Sequence, residues 1–309
     1  MALASLKSAV KGVLARLRQR RRRRDLEKTV RHVTREEIAA GLRGLGIERG
    51  DVVFLHSSLK SLGFVVGGPR AVLDALIDVV GPEGTLIVPT YYLPGGTIFN
   101  TCTMPDYVFD PRTHGSNLGA LPDTFVKMPG VERSIHPTHS VSAIGKHARY
   151  VTEAHHRAPS VFGAGSPWDR FVELDGKLLG LGITMGPVTF YHLLEDRMRE
   201  RFPLPVRMSE SYALRCLDWD GKPLTVPVVP LAPAYMERRI DHKSRDDLRD
   251  YFWREFSRAQ LLTVGNVADA RAWYIGGQAF YRHLEALMHE GITIYATADE
   301  LARRPIASA

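Results

Sequence analysis

Three clusters of polar side chains have the types and spacing that proton transfer or phosphate binding requires. His192 lies three residues after Thr189 and three before Glu195, in a run that reads as the start of a helix. Residues at i and i+3 share a helix face. A carboxylate there can orient an imidazole and stabilise its cation, and an imidazole titrates near working pH. The same spacing also fits a capped helix with an ordinary surface His-Glu pair. The second cluster, His56-Ser57-Ser58-Leu59 with Gly63 and Gly67-Gly68 behind it, follows an apolar strand and precedes a helix. Such strand ends hold phosphates and cofactors in open α/β sheets, because hydroxyls and backbone amides converge there. Serines that merely cap the helix give the same pattern. The third cluster is His136-Pro-Thr-His139 with His155-His156. A proline between two histidines is poor helical geometry and no carboxylates gather nearby, so no metal is expected.

The elements that must position these groups follow from apolar periodicity. Thr34-Arg-Glu-Glu37 has the form of a capping box opening a helix that stops near Gly46. Asp51–Leu55 reads as a strand, Pro69–Val80 as a helix with apolar residues at spacings of three and four, and Thr85–Val88 as a second strand. Strand, helix and strand within this distance make a β-α-β unit and hence an α/β fold with partly parallel strands. Residues 91–116 are loop-rich, and a long irregular stretch inside a compact enzyme is usually functional. Val141–Ile144 and Lys177–Leu181 read as strands, and Thr189–Arg199 and Gly277–Glu290 as helices. The C-terminal third reads as short strands near Tyr212–Trp219 and Leu224–Val229 joined by polar connectors.

At 309 residues and 44% hydrophobic composition the chain can bury a large core without staples, and its two cysteines, Cys102 and Cys216, suggest neither disulfide nor thiolate site. Residues 1–24 carry nine Lys or Arg and no acid, which leaves 32 basic against 34 acidic residues elsewhere. The net charge of +7 therefore belongs to a tail, residues 1–25, ahead of a single domain at 26–309. Leucines and valines interleave with the tail's charges at helical spacing, which suits an anionic membrane surface, although a like-charge block also suits a disordered terminus. Nucleic-acid binding is not expected, since no recognition motif accompanies the arginines. Without an apolar span or a signal-peptide pattern, the expected location is the cytoplasm, with the tail able to touch the inner face of the membrane. Gly180-Leu-Gly182 with Gly186 misses the dinucleotide spacing, and the Walker A, G-x-S-x-G and H-E-x-x-H signatures are absent.

Taken in order, these segments resemble the aminoglycoside 3-N-acetyltransferase family over most of residues 30–290. The marks are His56-Ser-Ser-Leu-Lys-Ser-Leu-Gly63, Gly67-Gly68, Ala75 to Thr90, Phe109-Asp-Pro111, Gly119, Arg133-Ser-Ile-His-Pro-Thr-His-Ser140, Gly145, Gly165-Ser-Pro167, Gly180-Leu-Gly182 and Thr189-Phe-Tyr-His-Leu-Leu-Glu195. The resemblance implies a three-layer α/β/α sandwich around a mixed sheet, distinct from the GNAT acetyltransferases, with acetyl-CoA as co-substrate and no metal. It implies that His56, Ser57, Ser58, Leu59 and Gly63 hold CoA, and that Arg133, Ser134, His136 and Ser140 line the pantetheine arm. It further implies that Thr189 lies beside the thioester and that His192 is the general base, with Glu195 its preferred carboxylate ahead of Glu200 and Asp241.

Departures from the family pattern are Val188-Thr189 in place of Asn-Thr, Leu194 in place of Ala, and a Leu93–Tyr107 segment with no acid before Asp106. The implied acceptor is an amino-sugar amine. It belongs either to an aminoglycoside, giving antibiotic resistance, or to a nucleotide-linked or surface-polysaccharide precursor. A silent CoA-binding module is the alternative of a different class. The expected assembly is a monomer or homodimer.

Overall fold

The computed structural model describes residues 31–306. The basic tail expected at 1–25, with its membrane contact, lies outside the described residues. The first helix, α1 (Arg35–Leu45), opens on the capping box: the Thr34 hydroxyl accepts from the Glu37 N–H, and the Glu37 carboxylate accepts from the Thr34 N–H. It ends at Gly46, whose left-handed φ of 99° suits a residue without Cβ.

Seven strands form a mixed sheet: β1 (Val52–Ser57), β2 (Thr85–Pro89), β3 (Glu132–Arg133), β4 (Val141–Gly145), β5 (Lys177–Leu181), β6 (Thr263–Val267) and β7 (Ala270–Gly276). Their order across the sheet is β6-β7-β5-β1-β2-β4-β3. β1 runs parallel to both β2 and β5, while the remaining pairs are antiparallel. Helix α2 (Gly68–Val80) makes the crossover from β1 to β2, as expected of a β-α-β unit.

Alternation along the central strands builds the layers. Val53, Leu55, Leu86, Val88, Leu179 and Leu181 point to the face covered by α1 and α2, whereas Val52, Phe54, Ile87 and Leu178 point to the opposite face. That second face is covered by α3 (Pro167–Glu173), α4 (His192–Arg197), α5 (Asp246–Arg258) and α6 (Gly277–His289). The result is the helix-sheet-helix sandwich that the family resemblance implied.

Gly180 sits opposite Trp273 across the β5–β7 pair, and a Cβ on it would overlap the indole. Gly180 thus makes room for a packed tryptophan, while Gly182, with φ 68°, backs closely onto Ser61, which gives Gly180-Leu-Gly182 structural reasons of its own. A separate three-stranded sheet is formed by Val108–Phe109, Tyr212–Leu217 and Pro223–Val228.

Two parts of the C-terminal third differ from the sequence reading. α5 and the β6–β7 hairpin stand where polar connectors were expected. α5 buries Leu248, Tyr251, Phe252 and Phe256 along one stripe beneath seven acidic or basic residues, so its charge masks its periodicity. The expected Thr189–Arg199 helix is instead a 3-10 turn, Thr189–Tyr191, followed by the short α4. Among the described residues no helix is long and apolar enough to cross a membrane.

Candidate active site

The parallel strands β1, β2 and β5 end together, and the chain leaves β1 toward neighbours on both sides. Crevices of this kind at the carboxyl ends of parallel strands are where α/β folds bind ligands. α4 lies across this end with its first turn buried: His192, Leu193, Leu194 and Glu195 are all shielded from solvent.

His192 and Glu195, one helical turn apart, meet with Nδ1 2.8 Å from Oε1. The same Oε1 accepts the Tyr295 hydroxyl at 2.8 Å. Arg207, with a side chain 9% exposed, approaches Oε2 at 3.5 Å and Asp196 at 2.7 Å. Burial alone would push the Glu195 carboxyl up, but the charges of His192 and Arg207 and the hydrogen bonds from His192 and Tyr295 outweigh it and hold the carboxyl below its usual range. Glu195 is therefore ionised at neutral pH and can only accept, so Nδ1 of His192 carries the hydrogen. Nε2 is the ring nitrogen that Glu195 does not engage.

His192 lines two cavities of about 280 and 360 Å3, and Tyr91, Thr189, Arg239 and Asp241 line both as well. The first cavity is walled by the strand ends, Leu55-His56-Ser57 and Val88-Pro89, and by the 186–189 turn. The second lies between the 93–99 loop and the 231–241 segment, with His139 and Phe162 at its base. At their junction the Tyr91 hydroxyl donates to Thr189 Oγ1 at 2.8 Å, which leaves the Thr189 hydroxyl hydrogen available to a ligand. Asp241 is held by the guanidinium of Arg239 through both oxygens.

Of the residues expected to hold CoA, His56 and Ser57 line the first cavity. His56 is neutral, with burial pushing its imidazole down to about 4, and its Nε2 is buried without a partner among the described residues. Such a nitrogen is a donor or acceptor awaiting a ligand or a water.

The other expected CoA residues do not line either cavity. The Ser58 N–H binds the Leu181 carbonyl at 2.9 Å, and a 3-10 turn at Leu59–Leu62 carries the chain away from the strand end. Leu59 accordingly packs on the α1/α2 core, and Gly63, with φ 85°, backs onto Asp269.

Arg133, Ser134, His136 and Ser140 form a buried foundation beneath the cavities. Arg133 donates to the Thr90, His114 and Gly115 carbonyls and to the Ser140 hydroxyl. Ser134 joins the Val141 N–H to Nδ1 of His155, whose Nε2 binds the Val161 carbonyl. Nδ1 of His136 accepts the Thr138 and His139 amides. Most of their hydrogen-bonding groups are engaged by the fold, and none of the four lines either cavity.

Among the described residues no group of three ligating side chains gathers to hold a metal. Glu200 is exposed, away from this constellation. The sequence reading did not find Tyr295, Arg207 or Arg239, which reach the site from far along the chain. Tyr91 carried a usable signal, since it lies two residues beyond the end of β2.

A profile described as Aminoglycoside 3-N-acetyltransferase matches residues 54–289. The chain belongs to this family. The aminoglycoside N(3)-acetyltransferase III of Salmonella sp is 38% identical over 172 residues, 52% of this chain and 60% of that one. The chain thus spans less than two thirds of that relative's length. The enzyme of the same name from Serratia marcescens is 34% identical over 233 residues, covering 66% of this chain and 86% of the relative. The structure of AAC-VIa bound to sisomicin superposes with a TM-score of 0.69 at 25% identity, covering 83% and 98% of the two chains. That of AAC-IIIb in binary complex with CoASH shares the fold, with a TM-score of 0.70 at 23% identity over 86% and 100%.

Proposed function

We propose that this protein transfers the acetyl group of acetyl-CoA to the amine of an amino sugar, with His192 as general base, and that residues 26–309 act as one catalytic domain. The observation that carries the reading is the meeting of two cavities at His192, whose Nδ1 is locked to an ionised Glu195 and whose Nε2 is not engaged by it. The thioester arm belongs in the first cavity, along the strand ends beside His56 and Ser57. The acceptor belongs in the second. Family membership and the CoASH held by AAC-IIIb support the donor assignment.

The chemistry follows from the geometry. An amine attacks only through a lone pair, so Nε2 of His192 takes the proton as nitrogen bonds to the thioester carbon. Help of this kind is worth about 10²–10⁴ in rate. Glu195 stabilises the imidazolium that forms, while Tyr295 and Arg207 fix the carboxylate. The carbonyl oxygen gains charge beside Thr189, whose hydroxyl is turned outward by Tyr91 and can donate to it. Collapse of the tetrahedral intermediate breaks the carbon–sulfur bond, and the CoA thiolate leaves. No covalent enzyme intermediate is needed.

Relatives named as aminoglycoside acetyltransferases, and sisomicin bound to AAC-VIa, support an aminoglycoside acceptor and a role in resistance. A second reading places the amine on a nucleotide-linked or surface-polysaccharide sugar, and is favoured by the pairing of Asp241 with Arg239. The test is thiol release from acetyl-CoA by the purified protein with each amine class, with the product checked by mass for one added acetyl group. Acceptor-dependent release supports the transferase. Tight acetyl-CoA binding with no release to any amine would instead indicate a silent binding module.

A further inference from the structure

We infer that Phe99, with Tyr212 and Glu210 beyond it, forms a second cation subsite at the open edge of the acceptor cavity, which takes an ammonium group of the acceptor other than the one that reacts. The inference rests on the transferase reading and deepens it from an amine to a polyamine. His192 and Phe99 line the same cavity of about 360 Å3, so an acceptor that fills it with one amine at Nε2 meets the Phe99 ring with its far end.

Among the described residues lining this cavity Asp241 is the one carboxylate, and both its oxygens are held by Arg239. A further ammonium therefore needs another partner, and an aromatic face can be one. The Phe162 ring already has the Arg207 guanidinium 5.6 Å from its centroid. Tyr91 is 4% exposed and packs on His139 with ring centroids 4.4 Å apart. Phe99 differs: it is 36% exposed, and among the described residues no cation lies over its ring.

The ring is held in place by its backbone. It sits in the short helix Ile98–Cys102, where the Thr97 hydroxyl accepts the Asn100 N–H. The Asn100 side chain donates to the Gly95 carbonyl at 3.1 Å, and the Thr101 hydroxyl to the Thr97 carbonyl at 2.8 Å. Tyr212, at the start of the middle strand of the small sheet, meets Phe99 edge to face, with centroids 6.3 Å apart at 89°. The Tyr212 hydroxyl donates to Glu210 Oε2 at 2.8 Å, and Glu210 makes no ion pair among the described residues. Two rings and a carboxylate thus run outward from the cavity. An ammonium over Phe99 is attracted by the negative face of the ring and by the Glu210 charge behind it. An acceptor with a single amine leaves this subsite empty, so it selects for polyamines.

The test measures acetylation of sisomicin by the wild-type protein, Phe99→Leu, Phe99→Tyr and Glu210→Gln, with acetyl-CoA binding followed alongside. Phe99→Leu keeps an apolar side chain and removes the π face. KM for sisomicin should rise by about threefold to tenfold while kcat stays within about twofold, since the subsite holds the acceptor equally before and during the reaction. Phe99→Tyr restores the face and should recover most of that loss. Glu210→Gln should raise KM by about twofold to fivefold at low salt, with the gap closing as salt screens the charge. A KM unmoved by Phe99→Leu or by Glu210→Gln, or raised as much by Phe99→Tyr as by Phe99→Leu, would overturn the subsite. So would a Phe99→Leu protein whose loss lies in kcat or in acetyl-CoA affinity. A wild-type protein that binds acetyl-CoA but does not acetylate sisomicin would also overturn it, and would leave the transferase reading to other amines. Failure to bind acetyl-CoA at all would remove the transferase reading and the subsite together.

Discussion

Replacing Glu195 by Gln removes one charge and little volume from the centre of the site. The Glu195 side chain is 1% exposed, with Oε1 2.8 Å from both His192 Nδ1 and the Tyr295 hydroxyl. As His192 takes the amine proton, the attraction between carboxylate and imidazolium grows to about 4 kcal/mol at an effective dielectric of roughly 20. The amide oxygen of a glutamine can still accept the Nδ1 hydrogen, which returns about 1 kcal/mol. The transition state therefore loses about 3 kcal/mol, and at a factor of ten for every ~1.4 kcal/mol this is a fall in kcat of about 10²-fold. Arg207 keeps Asp196 as its partner at 2.7 Å, so the fold should survive.

The assay is thiol release followed with a thiol-reactive chromophore at saturating acetyl-CoA and acceptor. A parallel melting curve and an acetyl-CoA titration serve as controls, and the dissociation constant is expected within about twofold of wild type, because the carboxylate acts on the chemical step. A folded Glu195→Gln protein that keeps kcat within about threefold of wild type would refute the reasoning, since the imidazolium would then need no buried counter-charge.

Three further perturbations probe other links of the chain from packing to chemistry. Tyr91→Phe frees the Thr189 hydroxyl from its 2.8 Å partner and should lower kcat by about five- to tenfold with KM for acetyl-CoA unchanged, the worth of one hydrogen bond; steady-state kinetics measure it. Gly180→Ala drives a methyl into the indole of Trp273, whose Nε1 holds the Ile183 carbonyl at 3.0 Å, and should cost about 1–3 kcal/mol or more in denaturant unfolding, with activity falling as the 183–189 turn shifts.

Glu255, fully buried, binds Arg258, Arg304 and His283; burial pushes its carboxyl up, but these partners outweigh it and hold the group at about 2. A carboxyl depressed by folding stabilises the protein above its unfolded value near 4.5, and that stabilisation is lost as pH falls through about 2. Unfolding free energies should thus show wild type ahead of Glu255→Gln by on the order of 3 kcal/mol at neutral pH, with the gap closing between about 4.5 and 2.

How far the sequence could be read depended on the range over which each signal acts. The capping box at Thr34, the apolar runs of β1 and β2 and the periodicity of α2 are local, and each stands where its residues indicate. The i, i+3 relation of His192 to Glu195 is local as well, and the structure brings the pair together. Tyr295 is one hundred residues from the carboxylate it binds, and Arg207 joins it from the loop preceding the small sheet. No short-range pattern marks such partners.

The Arg133 to Ser140 segment shows the fold competing with a ligand for the same polar groups. Its histidines and hydroxyls have the types suited to ligand binding, but buried carbonyls and amides claim their hydrogen-bonding groups first. At α5 an abundance of charge hid an apolar stripe. In the motif-like Gly180-Leu-Gly182 the first glycine leaves the space that a cross-strand tryptophan occupies and the second backs onto Ser61.

In the proposed reaction Nε2 of His192 is the acceptor of the amine proton. Its most direct test is acceptor-dependent CoA release by His192→Ala beside wild type, with acetyl-CoA affinity measured for both. Turnover should fall by about 10²–10⁴ with affinity nearly intact, because the imidazole acts on the chemical step and the strand ends hold the donor. A variant that binds acetyl-CoA and turns over at the wild-type rate would contradict the account.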